Sequence, residues 1–218
     1  MKGFLVKDYR LLLAQRNLLI VLPIGILFMF TNETPVMGIS YSLYVLTFLC
    51  TTLLSYDTFD NGMTYLLTLP GGRKTYVTEK YVFIFLNATI AAILLSTIGS
   101  LLELSRGHGI TAVQETYMGT LMLYSLALVF AYVILPLQLK FGPEKSRIVM
   151  LILFAIIFLG SSFIGFIADK LNFNPDALME TLSEIHFAAA AIAILLFSIL
   201  LALISWCISQ NIMKKKEF

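Results

Sequence analysis

Charge is the scarcest commodity in this sequence. Asp, Glu, Lys and Arg make up 13% of its 218 residues, while 59% are hydrophobic and mean hydropathy is +0.89. Soluble domains carry about 25% charged residues, so this chain could not cover a water-facing surface. Its two cysteines, Cys50 and Cys207, fall inside apolar runs. That excludes a disulfide framework or a cysteine metal site and leaves them as small buried hydrophobes. Its two histidines, His108 and His186, stand outside the apolar runs with no HExxH companion, which excludes the zinc-protease pattern.

The interiors of the apolar runs are also nearly free of ionisable groups. Asp57, Glu79, Lys80, Glu103 and Glu115 all sit at run ends. Ion-coupled transporters and proton pumps keep a titratable group midway through the membrane, so that class is disfavoured. Asn87 is about the only strongly polar residue within a run, which speaks against an intramembrane enzyme. Gly71-Gly72-Arg73-Lys74-Thr75 approaches a nucleotide-binding loop, but Arg73 stands where the motif needs glycine. No nucleotide site is expected on this chain. The first 16 residues are broken by Lys2, Lys7, Asp8 and Arg10, so no cleavable signal is expected.

What remains is apolar and long. Six runs appear: Leu18–Phe30, Ile39–Tyr56, Tyr81–Leu102, Tyr117–Leu139, Ile148–Ala168 and Phe187–Ser209. Inside a bilayer each must be helical, because only then does a span satisfy its own backbone. The runs do not alternate as barrel strands would. The expected fold is therefore all-α integral membrane, a single transmembrane domain over 1–218, with spans at about 17–31, 39–56, 80–102, 116–139, 147–168 and 187–210. With both termini inside, 13 of the 15 Lys and Arg fall in inside segments, and only Arg106 and Lys170 fall outside. This asymmetry follows the positive-inside rule.

Three stretches have further character. In Phe4–Leu13, Leu5, Tyr9, Leu12 and Leu13 share a helical face, with Lys7 and Arg10 turned away. That suits an interfacial amphipathic helix over 1–16, its Lys7 and Arg10 toward anionic headgroups and Tyr9 in the membrane boundary. The Asp169–His186 loop is long, and Asn174-Pro175-Asp176 reads as a helix start. Tyr56–Tyr81 mixes acids, aromatics and leucines before a break at Pro70-Gly71-Gly72. Thr64–Leu69 predicts a short helix, which is not stable alone and needs a partner to pack on. Small residues at Ala88, Ala92 and Ser96, at Gly160, Ser161 and Gly165, and at Ala188–Ala191 predict close helix approach.

The opening Met1–Asp8, the pair Tyr56-Asp57, and Tyr65-Leu66-Leu67-Thr68-Leu69-Pro70 followed by Arg73-Lys74 and Val77-Thr78-Glu79-Lys80-Tyr81 resemble the membrane subunits of ABC-2 type bacterial exporters. More narrowly they look like the compact permeases that include phenol-soluble modulin exporters. The resemblance implies a permease in the bacterial cytoplasmic membrane, not itself an enzyme, working as a dimer with a second copy or a paralogue. It implies a separate P-loop ATPase subunit that carries the ATP and Mg, no cofactor on this chain and no nucleic-acid partner. It also implies that the short helix between spans two and three is a coupling helix docking on the ATPase. The residues it marks are Asp57, Asp60, Tyr65, Leu66, Leu69, Pro70, Arg73 and Lys74. A facilitator without ATP coupling, or an accessory or immunity membrane protein, is the alternative reading.

Overall fold

The computed structural model describes residues 2–58, 62–68, 72–142, 145–146, 148–149, 151–152 and 187–215. These form helices α1 (Lys2–Ala14), α2 (Arg16–Thr31), α3 (Val36–Thr58), α4 (Gly62–Thr68), α5 (Gly72–Ser105), α6 (Ile110–Phe141) and α7 (Phe187–Lys215), with no strand among the described residues. Within that set, Val36–Thr58, Gly72–Ser105, Ile110–Phe141 and Ala191–Lys215 are long and apolar enough to cross a membrane. The run at 17–31 folds as the 16-residue α2, roughly 24 Å long at 1.5 Å per residue, against a hydrocarbon core of about 30 Å. Most of the expected span at 147–168 and all of the 169–186 loop, with Gly160, Ser161 and Gly165, lie outside the described residues.

Helix boundaries depart from the apolar runs in one instructive place. α5 starts at Gly72, well before the run that opens at Tyr81. Glu79 and Lys80 are therefore not at a helix end but two turns inside α5, and both are buried. Asp57 likewise lies within α3 and is 4% exposed. Hydropathy marks where apolar surface begins; it does not mark where backbone hydrogen bonding begins.

α3 is the centre of the bundle, packed on α2, α5 and α6, with Ile39, Leu43, Leu53 and Leu54 fully buried. α2 and α3 form a hairpin through Asn32–Pro35, and glycines set their closeness. A Cβ at Gly38 would lie 2.5 Å from the Gly25 carbonyl oxygen and 2.6 Å from the Met29 nitrogen. Those are backbone atoms and cannot rotate away. Gly38→Ala should therefore force the hairpin apart and destabilise the protein by about 1–3 kcal/mol, the range for overpacking. At Gly119 a Cβ would meet only Val36 Cγ2 at 4.0 Å, so Gly119→Ala should melt with wild type. Thermal unfolding of the two extracted variants checks the pair.

α6 and α7 make the most extensive helix contact. Ala127 and Ala131 of α6 are fully buried, as are Ala191, Ser198, Ser205 and Ser209 of α7. The α7 residues recur mainly at seven-residue spacing, the register of a left-handed pair, and their size permits close approach. Pro136 of α6 has no N–H for the Tyr132 carbonyl; the Ser205 hydroxyl donates to that carbonyl instead. Of the small residues expected on α5, Ala88 and Ser96 are buried within this chain and Ala92 is half-buried.

The turn joining α5 to α6 holds the far end together. Arg106 donates to the carbonyls of Met29 (2.7 Å), Phe30 (3.1 Å) and Glu33 (2.7 Å). It caps α2 at the end where helix carbonyls lack donors. His108 pairs with the buried Glu103. Asn87 donates to the Phe83 carbonyl of its own helix at 2.8 Å, so its amide is occupied by backbone.

Candidate functional site: a buried ion cluster beneath a short helix

At the opposite end, near Lys2 and Lys215, three helices bring five charges together. α1 contributes Lys7 and Asp8, α3 contributes Asp57, and α5 contributes Glu79 and Lys80. Lys80 Nζ contacts Asp8, and it lies 2.7 Å from Asp57 Oδ2. Lys7 Nζ contacts Asp57 and lies 3.0 Å from Asp8 Oδ1, the latter an ion contact outside hydrogen-bond geometry. The Tyr76 hydroxyl donates to Asp57 Oδ2 at 2.8 Å. Lys80 Nζ also sits 5.1 Å from the centroid of the Tyr76 ring, whose edge meets Phe4 of α1 with centroids 6.0 Å apart.

Burial makes this cluster consequential. The side chains of Asp8, Asp57 and Lys80 are 0%, 3% and 4% exposed, and only Lys7, at 28%, keeps partial access to water. Buried charges are costly unless paired and hydrogen-bonded, so the three helices are held in a single register by groups that cannot tolerate separation. Two ammonium groups face three carboxylates. The odd one is Glu79, fully buried, with neither oxygen accepting a hydrogen bond and its nearer oxygen 3.8 Å from Lys80 Nζ. Glu79→Gln keeps the shape and replaces a buried carboxyl whose oxygens accept no hydrogen bond. It should leave the melting temperature unchanged or raise it, whereas a drop of several degrees would mean that the Glu79 charge holds the cluster together.

α4 lies against two of the helices that carry this cluster. It packs on α3 and α5, with Met63 buried and Leu66 half-buried against the core, while Tyr65 is 69% exposed. Of the two expected anchors, Leu66 thus faces the bundle and Tyr65 faces away from it. The Arg73 guanidinium donates to the carbonyls of Met213 (3.2 Å) and Lys214 (2.9 Å), closing the end of α7. Gln210 of α7 donates to the Lys74 carbonyl at 3.0 Å, and the Lys74 side chain is exposed. Asp60, Leu69 and Pro70 lie outside the described residues.

The amphipathic face of α1 also turns out differently from the expectation. Phe4, Asp8 and Leu12 are buried against the bundle, while Val6, Tyr9 and Leu13 are exposed and Arg10 points outward. Lys7 pairs with Asp57 and keeps partial exposure. Hydrophobicity alone could not reveal this, because the residue that defines the buried face is an aspartate whose partner, Lys80, is 72 positions away. Asp8, Glu79 and Lys80 were each visible as residues of the resembling segments, and Tyr76 stands between two of them; their convergence was not.

The family model described as ABC-2 family transporter protein matches residues 3–214. No curated protein matches the chain, and no solved structure does.

Proposed function

The chain belongs to the ABC-2 family of transporter proteins, and from that premise we propose that it is the permease subunit of an ATP-driven exporter. A separate P-loop ATPase carries ATP and Mg and docks on α4. Two permeases, identical or paralogous, pair in the bacterial cytoplasmic membrane. Six spans with both termini in the cytoplasm fit the distribution of Lys and Arg. The cargo is an amphipathic peptide or another hydrophobic molecule, as in the phenol-soluble modulin exporters that the sequence resembles.

The observation that carries this reading is that α4 packs on α3 and α5, two of the three helices that the ion cluster joins. A short helix pushed from outside moves spans only if what it rests on is stiff. Met63 and Leu66 seat α4 on α3 and α5. Lys7, Asp8, Asp57, Tyr76 and Lys80 fasten α3, α5 and α1 to each other. ATPase closure would then shift the three helices as a block. This requires different contacts in two states and no catalytic residue on this chain. Tyr65 supplies an exposed aromatic anchor of the type that dominates interfaces.

Purification of the tagged chain from native membranes under mild extraction tests the reading. A P-loop ATPase recovered in stoichiometric amount is expected. Recovery of the folded chain without any ATPase, where both genes are expressed, would return the protein to the facilitator or accessory class.

A further inference from the structure

A groove of about 560 Å³ opens between α6 and α7 at the end that holds the ion cluster, lined by Val133, Pro136, Leu137, Leu201, Ile204 and Ile208 among others. Its walls are almost wholly apolar. The one backbone group that Pro136 frees, the Tyr132 carbonyl, already accepts from Ser205. Ile204 and Ile208 are 62% and 47% exposed, so the groove opens sideways rather than into the bundle. Among the described residues that line it, Lys140 is the one basic group. Its Nζ lies 5.1 Å from the centroid of the Phe141 ring. Lys215 follows Ile208 and Ile212 at helical spacing on α7 and is exposed.

We propose that this groove binds one anionic phospholipid, an acyl chain lying along Val133, Leu201 and Ile204 and the phosphate meeting Lys140 and Lys215. The volume falls within the ~300–1,000 Å³ typical of small-molecule sites. An apolar slot with ammonium groups at the water boundary selects an amphiphile that is anionic at one end. Basic pockets between membrane helices hold lipid headgroups for this reason, and lysine reaches the boundary because its stem is apolar. The site lies on α6 and α7, away from α4, so its occupancy does not depend on the ATPase reading.

Native mass spectrometry of the full chain, released from nanodiscs of mixed phosphatidylglycerol and phosphatidylcholine, tests the proposal. One phosphatidylglycerol should be retained in preference to phosphatidylcholine. Lys140→Gln should weaken that retention on the order of fivefold, the value of about one surface cation. Ile204→Trp, at an exposed position, should fill the slot and abolish it, while Lys2→Gln on α1 should change nothing. Melting curves of each variant separate lost binding from lost folding. Equal retention of both lipids would overturn the proposal. So would phosphatidylglycerol retention that survives Lys140→Gln and Ile204→Trp in folded protein.

Discussion

Asp57→Ala should be the most damaging single substitution in the ion cluster. It strips Lys80 and Lys7 of a shared carboxylate and leaves the buried Tyr76 hydroxyl without its acceptor. Removing one partner from a buried ion pair costs on the order of 3–5 kcal/mol, because the remaining charge is still buried. The melting temperature of the extracted protein should fall steeply, and the folded yield with it. Asp57→Asn, which keeps an oxygen for Tyr76, should fall less. A cycle over Asp8→Leu and Lys80→Met adds a control: the double variant should be more stable than the sum of the two singles implies, since it leaves fewer unpaired charges. If Asp57→Ala melted with wild type, the cluster would not be the fastening inferred from its geometry.

Tyr65→Asp should have the largest effect on function with the least effect on folding. Tyr65 is 69% exposed on α4, so its replacement removes little buried surface. Losing a central aromatic anchor costs at least about 2 kcal/mol, or roughly 30-fold in affinity, and an added carboxylate worsens the contact. ATPase co-purification and export should both be lost while the melting temperature is kept. Leu66→Asp is the less informative variant. Leu66 is half-buried against the core, so its failure would mix docking with packing. Export at wild-type level in Tyr65→Asp would remove α4 from the coupling route.

Membrane character, all-helical structure and the short helix ahead of Pro70 were legible in the sequence, because each rests on local composition. Long apolar runs force helices in a bilayer, and a proline followed by two glycines, as at Pro70-Gly71-Gly72, is a local stop signal. The cluster was not legible, because its partners are 50 and 72 residues apart and no periodicity encodes such a meeting. Hydropathy set Glu79 and Lys80 at a run boundary, and only the early start of α5 at Gly72 places them inside a helix. Arg73 shows a different limit. Its bonds to the last carbonyls of α7 join residues 140 and 141 positions apart, which no local pattern encodes. On α1, a face chosen by apolar spacing missed the face chosen by Asp8.

The central claim is that the ATPase docks on α4, and a photo-crosslinking amino acid at position 65 tests it most directly. Irradiation of native membranes should yield an adduct between the permease and a P-loop ATPase from position 65, and none from position 107 in the turn at the far end. An ATPase adduct from position 107 in place of 65 would contradict the account, as would a folded, expressed chain that gives no ATPase adduct from position 65.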